Sequence, residues 1–394
     1  MTGIVFNPAF TVAERDLRWG RVRQRMAAEK LDCLIAFPNQ GRFEQLQANT
    51  RYLTQMGGFA TEVAVVFPLA NEVTAFVQSP GDVDWWSKAQ CWITYVRCSR
   101  RVWAKAMIER LKELKFSRVG VIGLSGLKRA PEGVVPWTML ENVKKAFPNA
   151  EFVNATHITL EARAVKSAEE IAFIEKAEHI AEASVTAMFK IARAGVRENE
   201  LYAEMLKTMV AEGGELPTML YWSAGQPGIR HLVPTPTPLA AGDVIANEIE
   251  GKFCGYIAQI GAPAIVGPIP DKTIATYEAA AKLFDNLCSV IKAGRKLPDV
   301  GRDYVQMVKD AGYQPAAWPL HGRGLGDDLP IMQNALAETD ETFEEGHVLI
   351  IKPGMIDPND TSDSNERVGD TVVVTKTGAR RLGKLPLVIT SIPL

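Results

Sequence analysis

The sequence has little cysteine, no long apolar run and no excess of charge of one sign. Its five cysteines are scattered without CxxC pairs, which argues against a disulfide framework and against a structural zinc site. No segment approaches the roughly 18 to 20 uninterrupted apolar residues of a membrane span, and the first residues lack the basic segment and apolar run of a signal peptide. We therefore expect a cytoplasmic protein with no membrane partner.

Charge is balanced along the chain. The 44 lysines and arginines are mixed with 46 aspartates and glutamates, and the net charge is -2. Such a surface produces no field that would concentrate nucleic acid, so we expect no nucleic-acid partner. At 394 residues, of which 47% are hydrophobic, the chain is long enough for two or three domains with sizeable cores.

Apolar periodicity predicts an α/β domain in residues 1–155. A helical pattern from Val12 to Lys30 precedes the short buried-strand run LDCLIAF. The alternation continues with strand-like runs in TEVAVVFPLA, EVTAFV and RVGVIGL and helical runs in RVWAKAMIERLKEL and VPWTMLENVKKAF. Helices that alternate with strands in this way indicate an α/β layer.

The pattern changes near Asn154 to long helices with strand-like runs among and after them. Helical runs cover residues 160–192, 198–213, 272–291 and 300–312. Strand-like runs are DVIANEIEGKFCGYIAQIGAPAIV, HVLIIKPGMI and DTVVVTKTG. This combination predicts helices packed on an antiparallel sheet, an α+β domain that spans residues 156–394.

The start of this second domain resembles a known family. Arg163, Lys166, Ser167, Glu170 and Ile171, in RAVKSAEEIAFI, look like the helix that opens the pita-bread domain of creatinase, prolidase and aminopeptidase P. Further blocks follow in the family's order: GVRENEL, AGDVIANEIEGKFCGYIAQ, HGRGLG, FEEGHVLIIKPGM and NERVGDTVVVTKTGARRL. The resemblance implies a creatinase-type α/β N-terminal domain followed by an α+β pita-bread catalytic domain.

The resemblance also implies where a metal site would lie. Metallopeptidases of this fold hold two divalent ions between two aspartates, a histidine and two glutamates, because carboxylates bridge such ions and the ions lower the pKa of a bridging water. The matching positions here hold Glu248, Gln259, His321, Lys352 and Gly369. An ammonium group at Lys352 repels a dication, and one histidine with one glutamate falls short of the usual three or four ligands. We therefore predict no catalytic metal and no other cofactor.

A misaligned motif would change this prediction, because other acidic residues lie nearby in the sequence. They are Glu250, Asp327, Asp328 and Glu366. Lys352 remains a difficulty for this alternative, since it precedes the proline of an otherwise well-matched block. If these acids were the ligands, the protein would be a metallopeptidase of the Xaa-Pro type.

A histidine at a creatinase-like position suggests other chemistry. Creatinase works without metal and uses a histidine as general acid and base, and SAGQPGIRHLVPTPTPLAAGD resembles the stretch that carries it. His231 falls on that position, and histidine suits proton transfer because its unperturbed pKa lies near neutrality. We assign catalytic roles to His231, Glu248 and His321. The alternative is that His231 is a structural remnant.

The cations inferred for the pocket predict a substrate with a carboxylate. Lys352 could supply positive charge to an oxyanion or a carboxylate, and Arg323 could pair bidentately with a carboxylate. The alternatives are a salt bridge between Lys352 and Glu248 that merely fills the vacated site, and a solvated Arg323.

Four more residues complete the inferred pocket. Gln259 and Glu250 would add polar contacts to the substrate, and Tyr221 and Trp222 would add aromatic surface. The two aromatic residues could equally be ordinary core.

Together these residues favour a metal-independent hydrolase of a small carboxylate-bearing compound, an amide or amidine whose C–N bond is not an ordinary peptide bond. The alternatives are a lyase on a small substrate, an Xaa-Pro metallopeptidase and a catalytically silent binding protein. The resemblance also implies a homodimer in which the N-terminal domain of one subunit covers the other's pocket. Thr61 would then contribute to substrate binding across the interface.

Overall fold

The computed structural model describes residues 4–38, 47–58, 61–127, 130–218, 220–225, 234–316, 319–332, 340–358 and 368–394. The chain divides into two compact units, Met1–Arg163 with Leu325–Asp327, and Ala164–Gly324 with Asp328–Leu394. The first unit is α/β and the second is α+β, which confirms the predicted fold class. In the part of the chain that the structure describes, no helix is long and apolar enough to cross a membrane.

The first unit contains one mixed sheet with helices around it. Its helices are α1 (Val12–Ala28), α2 (Ala48–Thr54), α3 (Pro80–Ala89), α4 (Trp103–Leu111), α5 (Trp137–Ala146) and α6 (Thr156–Ala162). Its strands are β1 (Cys33–Ala36), β2 (Ala64–Pro68), β3 (Thr74–Val77), β4 (Tyr95–Cys98), β5 (Arg118–Ile122) and β6 (Glu151–Asn154). The strand order is β4-β3-β2-β1-β5-β6, with β1 parallel to β5 and antiparallel to β2. The core lies where α4 and α5 cover the sheet, with Met107 and Val143 packed among Ile35, Val66 and Val121.

The second unit packs long helices on sheets that are almost entirely antiparallel. Its helices are α7 (Ala168–Ile191), α8 (Glu198–Ala211), α9 (Asp271–Val290) and α10 (Leu297–Asp310). Its first strands are β7 (Leu220–Gly225), β8 (Val244–Phe253), β9 (Tyr256–Ile260) and β10 (Ala264–Val266). The later strands are β11 (Gln314–Pro315), β12 (Leu320–Gly322), β13 (Ile331–Met332), β14 (Val348–Ile351), β15 (Met355–Ile356), β16 (Asp370–Val374), β17 (Ala379–Arg381) and β18 (Thr390–Ile392).

Two five-stranded sheets of this unit carry the site described below. One has the order β18-β10-β8-β7, with β9 paired to β8, and the other has the order β13-β12-β14-β16-β17. The short strands β11 and β15 pair separately. Among the described strand pairs of this unit, β10 with β18 is parallel and the others are antiparallel.

The single helix predicted over residues 160–192 is wrong, because the structure has a break between α6 and α7. Helix α7 begins after Ser167, whose side chain accepts a hydrogen bond from the backbone of Glu170, while the Glu170 carboxylate accepts one from the backbone of Ser167. This reciprocal arrangement is a capping box, which satisfies backbone donors at a helix start. The Ser-x-x-Glu spacing was visible in the sequence and marks the true beginning of the helix.

Helix α7 lies very close to strand β8, and a glycine makes the approach possible. A Cβ atom added to Gly251 would lie 1.9 Å from the carbonyl oxygen of Ala177. No side chain fits at that distance, so the contact requires glycine. The close packing fixes the position of β8, which carries the acidic residues of the site.

Candidate functional site

The hairpin of β8 and β9 brings three polar side chains together. Glu248 and Glu250 are two residues apart on β8 and therefore point to the same face of the sheet. Gln259 of β9 lies opposite Glu250 in the register of the pair. The Gln259 side chain donates to Glu248 Oε2 over 2.9 Å. Thr371 of β16 holds this part of β9, because its hydroxyl exchanges hydrogen bonds with the backbone N–H and C=O of Gln259.

Arg323 follows strand β12 and contacts two residues of this hairpin. Its guanidinium donates to Gln259 Oε1 over 2.5 Å and contacts Glu250 Oε1 at 2.9 Å. The side chains of both Arg323 and Glu250 are 0% exposed. A solvated Arg323, one of the alternatives drawn from sequence, is therefore wrong. The predicted contacts of Arg323 and Glu250 with a substrate stay predictions, and they would require these two residues to leave each other.

Lys352, which follows strand β14, completes the cluster. Its ammonium group lies 2.7 Å from Glu248 Oε1, and the two side chains are 19% and 24% exposed. The salt bridge that the sequence suggested as one alternative is thus present. Five side chains form a continuous series of contacts: Lys352, Glu248, Gln259, Arg323 and Glu250. We call this series the polar network.

The charges in the polar network explain the ionisation of Glu248. Burial raises the pKa of a carboxylic acid, but the ammonium of Lys352, with smaller contributions from Arg323 and Gln259, holds the pKa of Glu248 below its ordinary value. Glu248 is therefore ionised at neutral pH. Two cations and two anions make the network formally neutral.

Gly369 gives Lys352 the room to reach Glu248. The backbone of Gly369 pairs with Gly261, and a Cβ atom at position 369 would lie 2.7 Å from Lys352 Cγ and 2.8 Å from the carbonyl oxygen of Ile351. Distances this short are not found for real Cβ atoms. A side chain at position 369 and the observed conformation of Lys352 therefore exclude each other.

The structure places the other predicted residues as follows. His321 is in β12, buried at 1% exposure, with Nδ1 3.2 Å from the carbonyl oxygen of Gly322. Tyr221 and Trp222 are in β7, opposite Glu248 and Asn247 in the register, and their side chains lie outside the described residues. His231 also lies outside the described residues, so its catalytic role stays a prediction.

Thr61 belongs to the first unit, where its carbonyl oxygen accepts a hydrogen bond from Gln47. Its predicted contribution across a dimer interface stays a prediction.

The described residues that the resemblance matches to metal ligands do not fit a pair of divalent ions. Both oxygens of Glu248 already accept from nitrogen donors, Lys352 and Gln259, and the ammonium group of Lys352 is not a metal ligand. Glu250 and Asp328, suggested as substitute ligands, are in ion pairs with Arg323 and Lys166. Among the residues that the structure describes, no group of three or more histidine, cysteine, aspartate or glutamate side chains could hold a metal ion.

Comparison with known proteins identifies the family. The profile of Metallopeptidase family M24 matches residues 172–376, and that of the Creatinase/Prolidase N-terminal domain matches residues 18–165. The chain belongs to metallopeptidase family M24. Within it, the resemblance to creatinase, aminopeptidase P and prolidase is confirmed, and the family is one of hydrolases.

Individual relatives agree with this assignment. The Xaa-Pro dipeptidase of Pyrococcus furiosus is 28% identical over 257 residues, which cover 64% of this chain and 72% of the relative. The creatinase of a Bacillus species is 22% identical over 403 residues, 96% of this chain and 92% of the relative. The X-Pro aminopeptidase of Thermotoga maritima has the same fold, with a TM-score of 0.76 and 18% identity over 95% of this chain and 99% of its own.

These matches overturn the leading interpretation drawn from the sequence. That interpretation was a metal-independent hydrolase of a small amide or amidine, and it is wrong because the family is one of metallopeptidases and the relatives include Xaa-Pro dipeptidases. Replacement of several metal ligands is not by itself evidence for creatinase-like chemistry. The peptidase alternative agrees better with the comparisons.

One buried acid near the site was missed by the sequence analysis. Glu178 of α7 is 1% exposed, and burial together with the neighbouring carboxylate of Asp370 raises its pKa well above the ordinary value. Asp370 follows Gly369 directly and forms an ion pair with Arg381. The sequence did carry a signal, because Glu178 lies on the apolar face of the helix, between Ile174 and Ala181.

Proposed function

We propose that this protein hydrolyses short peptides of the Xaa-Pro type. The observation that supports the proposal is the polar network itself, which sets the partly exposed ammonium of Lys352 beside the carboxylate of Glu248 in a domain matched by the M24 family model. The resemblance matches Glu248, Gln259 and Lys352, with His321, to the metal-ligand positions of the family's peptidases. The Xaa-Pro dipeptidase relatives supply the bond and the substrate class. A small-molecule substrate and a homodimer, as expected from the sequence, belong to the same proposal.

The side chains of the network suggest what each would do to a bound peptide. The ammonium of Lys352 presents positive charge to an oxygen that gains negative charge as the peptide carbonyl is attacked. Glu248, ionised and partly exposed, is an acceptor for an N–H group or an ammonium of the peptide. Arg323 donates a hydrogen bond to the amide oxygen of Gln259 and so fixes the orientation of that amide. No step is assigned to a divalent ion, because the described donors do not fit one.

The test is release of free proline from Ala-Pro and Leu-Pro by the purified full chain, with Ala-Leu as the control peptide. Each peptide is assayed with a chelator and with added Mn²⁺, Co²⁺ or Zn²⁺, so that the ion requirement is measured in the same experiment. We expect proline release from the first two peptides and none from the third. Absence of proline release under every condition would contradict the proposal.

A second candidate is a protein that binds such peptides without cleaving them. One observation favours it: both oxygens of Glu248 are engaged by nitrogen donors, which leaves that carboxylate a weak base for activating water. Calorimetric titration with Ala-Pro separates the two candidates, since binding without product would support the second.

A further inference from the structure

Lys352 is the cation of the polar network that a ligand can reach. Its side chain is 19% exposed, whereas Arg323 is 0% exposed behind Gln259. The carboxylate next to it, Glu248, is 24% exposed. The accessible part of the network is therefore an ammonium and a carboxylate side by side, with Lys352 Nζ and Glu248 Oε1 2.7 Å apart.

An α-amino acid presents the same two groups side by side, since its ammonium and carboxylate are bonded to one carbon. Placed head to tail on the pair, its carboxylate would meet Lys352 and its ammonium would meet Glu248. The network is formally neutral, and a zwitterion keeps it neutral. An anion or a cation alone would instead leave one charge uncompensated.

The network can accept this ligand without losing internal contacts. Glu248 keeps its hydrogen bond from Gln259, and Gln259 is held in turn by Arg323. Gly369 supplies the space in which the Lys352 side chain lies, because a Cβ atom there would be 2.7 Å from Lys352 Cγ. Lys352 in this conformation therefore requires glycine at position 369.

We propose that Lys352 and Glu248, with the space at Gly369, form a binding site for the zwitterionic head of a free α-amino acid. Such a ligand is the product class of the proposed peptidase reaction, so the site would retain product. This identification of the ligand rests on the proposed function, but the binding itself does not require turnover.

The test is isothermal titration of the full chain with L-proline, L-alanine and L-leucine. L-prolinamide, which lacks the carboxylate, and N-acetyl-L-proline, which lacks the ammonium, are the matched controls. We expect at least one free amino acid to bind with a millimolar or lower Kd, and each blocked form of proline to bind roughly tenfold or more weakly than proline, as loss of a charge-assisted hydrogen bond implies. No binding of any of the three up to about 10 mM, or equal binding of the blocked forms, overturns the proposal.

Variants locate the site. Lys352→Met should weaken binding of the same amino acid by roughly tenfold or more, and Lys352→Arg should restore part of it. Lys376→Met is the matched control, because Lys376 also faces a glutamate, Glu345, but is 80% exposed. Gly369→Ala should also weaken binding, because a Cβ atom there would displace the Lys352 side chain and the adjacent backbone.

Thermal unfolding of each variant checks that it is folded. If Lys352→Met is folded and binds as the wild type does, the proposal is overturned. If peptides are not cleaved but amino acids bind through Lys352, the proposed function fails and this inference stands. If peptides are cleaved but amino acids bind equally well to the wild type and to Lys352→Met, the proposed function stands and this inference fails.

Discussion

The Cγ atom of Lys352 lies where a Cβ atom at position 369 would come within 2.7 Å of it, so the observed course of the Lys352 side chain requires glycine at position 369. The backbone carbonyl oxygen of Ile351 would lie 2.8 Å from the same Cβ atom, which adds to this requirement. The resemblance matches both positions to glutamate ligands of the family's metallopeptidases.

This relationship predicts how divalent ions respond to substitution. The wild-type chain should bind Mn²⁺ weakly at this site, because the ammonium of Lys352 repels a dication and is already paired with the Glu248 carboxylate. The substitution Lys352→Glu should strengthen Mn²⁺ binding roughly tenfold or more, since it replaces the ammonium beside Glu248 with a carboxylate, the kind of ligand that such an ion prefers. Calorimetric titration measures both affinities. Equal affinities would show that ions bind elsewhere or not at all.

The buried pair of Arg323 and Glu250 should matter far more for stability than an exposed pair. Arg323→Met removes the cation beside a Glu250 side chain that is 0% exposed, and breaking a buried pair in this way costs about 3–5 kcal/mol. Arg380→Met is the matched control, because Arg380 and Glu175 are 53% and 46% exposed and such pairs contribute about 0–1 kcal/mol. Urea denaturation gives the free energy of unfolding for each. Similar losses in the two variants would refute the burial argument.

Glu178 should make stability fall as pH rises. Burial, with the carboxylate of Asp370, raises its pKa in the folded chain above the ordinary value of 4.5, so the folded state binds more protons than the unfolded state above that pH. The stabilisation is complete below the unfolded pKa and is lost as pH rises through the folded pKa. Glutamine at position 178 does not titrate. The free energy of unfolding of Glu178→Gln should therefore depend less on pH between about 5 and 8 than that of the wild type.

Glu175→Gln is the control for this experiment, since Glu175 is on the same helix and 46% exposed. Urea denaturation across the pH range compares the slopes. A slope for Glu178→Gln equal to that of the wild type would mean that Glu178 ionises normally.

The approach of α7 to β8 gives a prediction about packing. Gly251→Ala would place a Cβ atom 1.9 Å from the Ala177 carbonyl oxygen, and we expect a loss of roughly 1–3 kcal/mol or more in the free energy of unfolding. Gly20→Ala is the matched control, because nothing lies within 4 Å of a Cβ atom there and alanine favours a helix. Urea denaturation measures the free energy of unfolding of both variants, and equal values would contradict the close packing.

Part of the fold could be predicted because helices and strands leave periodic patterns in the sequence. Helix α9 was expected over residues 272–291 and is observed as Asp271–Val290. The break before α7 was missed because apolar periodicity runs through it, although the capping box of Ser167 and Glu170 was readable.

The site was predicted residue by residue from motifs, but its contacts depend on tertiary structure. The burial of Arg323 against Glu250 follows from the register of β8 with β9 and from the position of β12, which no local pattern encodes. The function does not follow from the replaced ligands alone, because the chain belongs to a family of metallopeptidases.

The most direct test of the central claim is release of proline from Ala-Pro by the purified chain, measured with a chelator and with Mn²⁺, Co²⁺ or Zn²⁺. Lys352→Met is assayed beside the control Lys376→Met, because Lys376 is 80% exposed and is not part of the polar network. We expect proline release by the wild type and by Lys376→Met, and a rate lower by roughly tenfold or more for Lys352→Met. No release by the wild type under any of these conditions, or equal rates for the two variants, would contradict it.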